Sequence, residues 1–307
     1  MGYFLSRVHY QKPSLPVDKQ VERLVRRGLQ ANPEELEKAL QRMSYYRFAG
    51  YLWWFYTDEW EKIKPETTLD NVLELYAFDA TLRIHVMRFA HSIEVWLRAS
   101  LSNHIANKYG AMGYLNKSIY HNAKAFERDL GKLDEVLGSD SHEQFVVAFH
   151  EKYLDKRPPI WMATELMSVG LLSKWYSNLK EDSLRKAISK EVGLQPSVLS
   201  SFLRLFTILR NGAAHHSRIW NRNTPLKGVQ VRTPPPLLKE ALDGADPAQI
   251  HYVLAIAAYI VQTIDPTSNS VSSLRMHLST AEEDWLAEMD FPECFEDDLL
   301  WNPERNQ

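Results

Sequence analysis

The sequence predicts an all-α protein. Apolar residues recur at intervals of three and four through most of the chain, which is the spacing of one face of an α-helix. We find no segment with the strict alternation of apolar and polar residues that indicates a half-buried β-strand. Apolar residues make up 45% of the 307 residues, enough for one large core or for a core with a smaller appended unit. We therefore expect a helical bundle with an N-terminal helical extension and an acidic C-terminal tail.

The N-terminal region predicts two helices followed by an aromatic block. Apolar residues within 17–25 share one helical face, and Gly28 is placed to end that helix. Asn32 can then cap a second helix, because Pro33 suits its first turn. The aromatic-dense residues 44–56 are interpreted as a packed hinge between helices. The alternative interpretation is that these rings stack on RNA bases.

The longest helical pattern runs from Leu69 to about Lys108. A helix of about 40 residues would be about 60 Å long, so the pattern predicts one long central helix or two helices with a bend. Glu94 and Arg98 lie four residues apart on its polar side. An exposed pair of this kind is worth only about 0.3–0.5 kcal/mol. If the pair faced a site, it could orient a catalytic group.

The second half of the chain predicts shorter helices, a long loop and an acidic end. Residues 223–236 are rich in proline and threonine and are interpreted as a loop. From Ser279 onward ten acidic residues occur with no basic residue before Arg305. The helical patterns fall near residues 118–137, 141–154, 160–180, 182–192, 197–210 and 248–264.

Composition and simple motifs exclude several classes of protein. The net charge of -3 is not that of a globally basic nucleic-acid coat, although it allows a local basic patch. The single cysteine, Cys294, fits a reducing cytoplasmic setting. The apolar run 250–264 is too short for a membrane span and is interpreted as a buried helix. We find no metalloprotease, P-loop or dinucleotide-binding motif, so we expect no cofactor and no metal.

One segment combines positive charge with side chains that can transfer protons. Between Val192 and Lys239 there is no aspartate or glutamate, and two adjacent histidines lie in the middle of the segment. Such a local excess of positive charge suits a surface that binds phosphates. The basic residues of the segment are Arg204, Arg210, Arg218, Arg222, Lys227, Arg232 and Lys239.

Arg210 and His215 are the candidate catalytic residues. Residues five apart on a helix lie within reach of a common point, and Gly212 to Ala214 would keep the surface between them low. RNA carries its own nucleophile, the 2′-hydroxyl, so cutting requires a base, an acid and a cation. Histidine can transfer protons near neutral pH, and arginine offers a fixed fork to a phosphate. Asn211 could hold the histidine or a phosphate oxygen by hydrogen bond.

These residues resemble a known nuclease motif. Arg210-Asn211-x-x-x-His215 looks like the motif of HEPN ribonucleases, and the run from Arg210 to Arg222 is similar to the longer signature of the AbiD/AbiF abortive-infection proteins. Residues 44–51 and 291–301 resemble two further blocks of that family, so the resemblance covers about residues 12 to 301. The sequence departs from the pattern at residues 212–213, where a bulkier residue is expected.

The resemblance implies a HEPN-like bundle and a metal-independent endoribonuclease of phage defence. Arg210 and His215 would be its catalytic pair and Asn211 a supporting residue. One chain carries one motif, so the resemblance also implies a homodimer that acts on RNA, with an antitoxin or a small regulatory RNA as a further possible partner. The residues expected to contact RNA or support the pair are His216, Arg218, Arg222, Arg204, Glu94 and Arg98.

Two alternatives and a division of the chain complete the expectations. The same basic surface could belong to a catalytically inactive module that binds RNA or protein. The protein could instead be purely structural, with its basic segment paired permanently with the acidic tail. In a regulatory version of this pairing, the tail would mimic RNA and restrain the site. We expect an N-terminal helical region over residues 1–66, a core with the motif over residues 67–265 and a helical, acidic extension over residues 266–307.

Overall fold

A computed structural model of the protein describes residues 9, 13–57, 62–138, 143–180, 184–222 and 226–302. Throughout these ranges the named elements are helices, and β-structure is limited to isolated bridges. The prediction of an all-α protein is therefore confirmed. The chain divides into two compact units between Phe78 and Asp79.

The first unit contains the three N-terminal helices. These are α1 (Val17–Arg26), α2 (Pro33–Met43) and α3 (Tyr45–Leu52). Gly28 follows α1 with a φ of 106°, a backbone conformation that favours glycine. The Asn32 side chain accepts hydrogen bonds from the backbone N–H groups of Glu34 and Glu35, as a helix cap does. The predicted end of α1 and the predicted cap of α2 are thus confirmed.

The aromatic block forms α3 and a short 3-10 turn over Trp53–Phe55. Phe48 and Tyr51 are buried, and the Tyr51 ring meets the Tyr76 ring edge-on with centroids 5.2 Å apart. In contrast, Tyr46 is 91% exposed. One face of the block is therefore packed as the hinge interpretation expects, while Tyr46 and Trp53 remain accessible to a stacking partner.

The long central pattern is a single helix, α4 (Leu69–Tyr109), of 41 residues. Its apolar stripe is buried along its whole length because the residues recur at helical spacing. The stripe includes Leu75, Leu82, Val86, Phe89, Ile93, Leu97, Leu101 and Ile105. Of the two predicted arrangements, the single helix is the one observed.

The second unit continues with shorter helices. The predicted helix near 160–180 is divided just before Gly170, and the predicted helix near 197–210 extends to Ala214. The helices are α5 (Ala123–Gly138), α6 (Gln144–Lys152), α7 (Ile160–Ala163), α8 (Val169–Asn178), α9 (Lys186–Glu191), α10 (Pro196–Ala214), α11 (Pro236–Lys239), α12 (Ile250–Ile264), α13 (Ser270–Leu278) and α14 (Glu283–Ala287). α10 packs against both α8 and α12. Among the described helices, none is long and apolar enough to cross a bilayer.

The acidic C-terminal region packs through its apolar residues. The backbone N–H of His251 donates to the Met289 carbonyl at 3.1 Å, and the Gln262 amide donates to the Leu300 carbonyl at 2.7 Å. The side chains buried in this region are Trp285, Met289, Phe291, Phe295, Leu300 and Trp301. Deletion of residues 279–307, the natural test of a restraining tail, would therefore also remove part of the core.

The buried His251 makes the stability of the protein depend on pH. Neither ring nitrogen has a hydrogen-bond partner in the described part of the protein, and the ring lies 4.6 Å from that of Phe291, centroid to centroid. Burial lowers the pKa of His251 from 6.5 to about 4. As the pH falls from 6.5 toward 4, the unfolded chain therefore takes up this proton before the folded protein does. Stability is lost over that window.

We expect His251→Phe to weaken this pH dependence. Between pH 7 and pH 5 the histidine should remove about 2 kcal/mol from the free energy of unfolding, and the phenylalanine variant should be spared that loss. Urea denaturation at the two pH values measures the difference. An equal loss in both proteins would show that other groups cause the acid sensitivity.

Candidate functional site

The Arg–Asn–His motif lies at the C-terminal end of α10. Arg210 and Asn211 are in its last turns, and His215 is the first residue beyond the helix. The His216 N–H donates to the Ala213 carbonyl at 3.1 Å, and the Ser217 N–H donates to the Gly212 carbonyl at 2.9 Å. This pair of bonds is the Schellman arrangement, which ends a helix by turning the chain sharply away. His215 therefore lies at the turn itself.

His216 occupies the left-handed position of this turn, with a φ of 56°. Glycine is the usual residue there, because a Cβ strains the left-handed backbone. We expect the free energy of unfolding of His216→Gly to be about 1 kcal/mol higher than that of His216→Ala. Both variants lack the imidazole, so the difference between them reports the backbone strain. Urea denaturation of the two variants provides the comparison. Equal stability would mean that the backbone relaxes at this position.

Arg210 is held by a carboxylate on the long helix α4. Its Nε donates to Glu94 Oε1 at 2.8 Å, and Glu94 Oε2 lies 3.6 Å from Arg98 Nη2. Glu94 is 8% exposed, so the pair is not the exposed surface pair that the spacing of Glu94 and Arg98 alone would suggest. Low exposure strengthens the attraction between these charges. The structure thus brings together three of the predicted site residues, Glu94, Arg98 and Arg210, from two helices. Glu94 and Arg210 are 116 positions apart in sequence.

Arg210 retains donors for a ligand. Of the five N–H donors of an arginine, Nε binds Glu94 and one Nη1 hydrogen binds Asn211 Oδ1 at 3.3 Å. Within the described part of the protein three donors are left, and the side chain is 27% exposed. A guanidinium fixed in this way by a carboxylate can bind a phosphate with its outer edge.

Arg98 faces the protein backbone. Its Nε donates to the Thr164 carbonyl at 3.2 Å, and its Nη2 donates to the Met167 carbonyl at 3.0 Å. These carbonyls lie between α7 and α8. Arg98 therefore joins α4 to the connection between α7 and α8. It also pairs with Glu94 Oε2, while Arg210 binds Oε1 of the same carboxylate.

The remaining predicted site residues lie on α10 and on the segment that follows it, and most of them are exposed. His215, His216 and Asn211 are exposed. Arg204 and Arg222 are also exposed, and Arg218 is half-buried. The His215 side chain makes no hydrogen bond within the described ranges, so its imidazole is available for proton transfer. The same ranges contain no cluster of three or more metal-binding side chains.

The small residues 212–214 are expected to keep the surface between Arg210 and His215 low, and two of them lie beneath it. Gly212 and Ala213 are buried. A Cβ added to Gly212 would lie 3.3 Å from both Arg222 Nη1 and Ile219 Cγ2. The small residues therefore make room for the returning chain segment beneath the motif, because the Schellman turn folds that segment back onto α10.

A buried ion pair between Asp79 and Arg83, which the sequence pattern did not place at the site, anchors this returning segment. Asp79 Oδ1 accepts from the backbone N–H groups of Ile219 at 3.1 Å and Trp220 at 2.7 Å. Asp79 Oδ2 accepts from Arg83 Nη1. The indole N–H of Trp220 then donates to the Trp285 carbonyl at 3.0 Å. The sequence feature that could have indicated this pair is an aspartate four residues before an arginine, on a face of α4 that is otherwise apolar.

Together, the fold and the site define an all-α protein with an arginine–histidine motif exposed at a helix end and supported by buried ion pairs. In comparisons with known proteins, the family described as Abi-like protein matches residues 38–221, which include α4 and the motif. This match covers more than half of the chain, and the protein belongs to the Abi-like family. No curated protein and no solved structure matches the chain.

Proposed function

We propose that this protein is a metal-independent endoribonuclease that acts in abortive infection, a form of phage defence. The observation that carries the proposal is the site at the end of α10. There Arg210 is fixed by Glu94 with three N–H donors left among its described contacts, and the exposed His215 follows five residues later at the helix end. Membership of the Abi-like family supports the biological setting.

The chemistry uses the 2′-hydroxyl of the substrate as nucleophile. A His215 imidazole removes the 2′-hydroxyl proton as the 2′-oxygen forms a bond to phosphorus, and the bond from phosphorus to the 5′-oxygen breaks. An imidazolium donates the proton that the departing 5′-oxygen needs. Arg210 neutralises the charge that develops on the phosphorane oxygens. The products are a 2′,3′-cyclic phosphate and a 5′-hydroxyl.

Base and acid are two groups, and each chain supplies one His215. We therefore propose a homodimer in which His215 of one protomer is the base and His215 of the partner subunit is the acid. Two Arg210 side chains would then flank one phosphate. Placement of the motif at an exposed helix end is compatible with this arrangement, because a second copy can reach it.

Sequencing of RNA 5′-hydroxyl ends in cells tests the proposal and identifies the target. Induction of the wild-type protein should produce new 5′-hydroxyl ends at discrete positions, and induction of His215→Ala should not. Identical end profiles for the two proteins would contradict the proposal. Toxicity that persists in His215→Ala without new ends would favour the alternative, a non-cutting RNA- or protein-binding module.

Glu94 is proposed as a positioning residue that acts through Arg210. Glu94→Ala should lower kcat by about 10–100-fold with a smaller effect on KM, because a misplaced arginine is worth about that much in rate. Glu94→Gln should recover part of the loss, since the amide oxygen can still accept from Arg210 Nε. Steady-state kinetics on a defined RNA checks both variants. An unchanged kcat in Glu94→Ala would contradict the positioning role.

A further inference from the structure

A groove of about 710 Å³ runs between α8 and α10 and reaches the motif at Asn211. Five serines and Thr207 contribute hydroxyl groups to its described lining. Three basic residues, Lys174, Arg185 and Arg204, also line it, and no described lining residue is acidic. Hydroxyls with cations and no carboxylate form a surface that suits a polyanion.

The groove follows one face of α10. Ser197, Ser200, Arg204 and Asn211 line it at intervals of three, four and seven residues, as residues on one helical face do. From Ser197 to Asn211 the helix rises by about 21 Å at 1.5 Å per residue. Because Asn211 accepts a hydrogen bond from Arg210, a chain lying in the groove would be led to the candidate catalytic pair.

The cations of the groove are partly fixed and partly crowded. Arg185 Nη2 donates to Ser200 Oγ at 3.1 Å, and its guanidinium lies 5.8 Å from the centroid of the Tyr176 ring. Partial burial lowers the pKa of Lys174, and the neighbouring ammonium of Lys132 lowers it further. A bound anion would relieve this crowding of positive charge.

The dimensions of the groove favour a single strand. The groove lies between α8 and α10, and packed helices have axes about 8–10 Å apart. A duplex is wider than its own major groove of about 12 Å, so it cannot enter. One sugar–phosphate chain can.

We propose that this groove binds the phosphodiester backbone of a single RNA strand next to the scissile phosphate. The inference rests on the proposed function for its substrate, but it makes a separate claim about binding. Lys174 and Arg204 contact phosphates, and the hydroxyls of the exposed Ser177 and Ser197 donate to phosphate oxygens. Arg185 binds the strand at the end of the groove away from Asn211.

Binding measured without cutting tests the groove. In a His215→Ala background, fluorescence anisotropy with a short single-stranded RNA oligonucleotide should show that Lys174→Glu with Arg204→Glu weakens binding by about tenfold or more. The slope of log affinity against log salt should become shallower by about 1.4, the value for two lost phosphate contacts on a single strand. A duplex of the same length should bind more weakly than the single strand.

Lys152→Glu is the matched control, because Lys152 is an exposed lysine of α6 outside the described groove lining. It should leave binding unchanged, and circular dichroism should confirm that every variant is folded. The proposal is overturned if the double variant binds RNA as tightly as its parent, if Lys152→Glu loses as much affinity as the double variant, or if the duplex binds as tightly as the single strand. Failure of the proposed function looks different: the groove binds as described, and cutting persists in His215→Ala.

Discussion

His215→Ala is expected to slow RNA cutting by about 10²–10⁴-fold, the usual contribution of a positioned acid or base. Arg210→Ala should cause a comparable loss, because in the proposed mechanism its guanidinium neutralises the charge that develops on the phosphorane. Arg210→Lys should not restore activity, since an ammonium cannot contact Glu94 and bind a phosphate through a planar fork at once. The measurement is the single-turnover rate of purified protein on the RNA identified in cells.

The control for this prediction is His121→Ala. His121 is an exposed histidine in the same unit that lies away from the motif in sequence, and its loss should leave the rate unchanged. Circular dichroism should show wild-type helicity in all four variants, because Arg210 and His215 are not part of the buried core. If purified His215→Ala and Arg210→Ala cut as fast as the wild-type protein, a different group performs the chemistry.

Asp79→Ala is expected to lower the free energy of unfolding by about 3–5 kcal/mol, the cost of breaking a buried ion pair by removing one partner. The substitution deprives the buried Arg83 of its carboxylate and leaves two backbone N–H groups without their acceptor. Asp79→Asn should cost less, because its amide oxygen can still accept from Ile219 and Trp220. Urea denaturation followed by circular dichroism measures both losses.

Glu74→Ala gives the matched comparison for Asp79. Glu74 is an exposed acid on the same helix, and its replacement should change stability by no more than about 0.5 kcal/mol. A loss of less than about 1 kcal/mol for Asp79→Ala would show that water replaces the missing carboxylate and that the returning segment after His216 is not anchored there.

Local patterns were sufficient to predict the regular parts of the fold. The apolar residues of α4 recur at helical spacing over 41 residues, and the Asn32 cap is recognisable from adjacent residues alone. The end of α10 could not be predicted in the same way, because His216 adopts a left-handed conformation that is usual for glycine. A histidine at that position carries no local signal for a helix end.

The contacts that build the candidate site depend on tertiary packing. Glu94 and Arg210 are 116 residues apart, and Asp79 and Trp220 are 141 residues apart. Spacing in sequence could nominate Glu94 as a residue near a site, but it could not say which arginine the carboxylate would bind. Asp79 was missed because an i,i+4 pair with Arg83 looks the same whether it is exposed or buried.

The most direct test compares two RNAs that differ by one hydroxyl group. Purified wild-type protein is given, in the presence of EDTA, an RNA containing the mapped cut site and the same RNA with a 2′-deoxy sugar on the 5′ side of that site. We predict that the all-ribose RNA is cut to a 2′,3′-cyclic phosphate and a 5′-hydroxyl and that the substituted RNA stays intact at that position. Cutting of both RNAs at equal rates would contradict attack by the 2′-hydroxyl and, with it, the role assigned to Arg210 and His215.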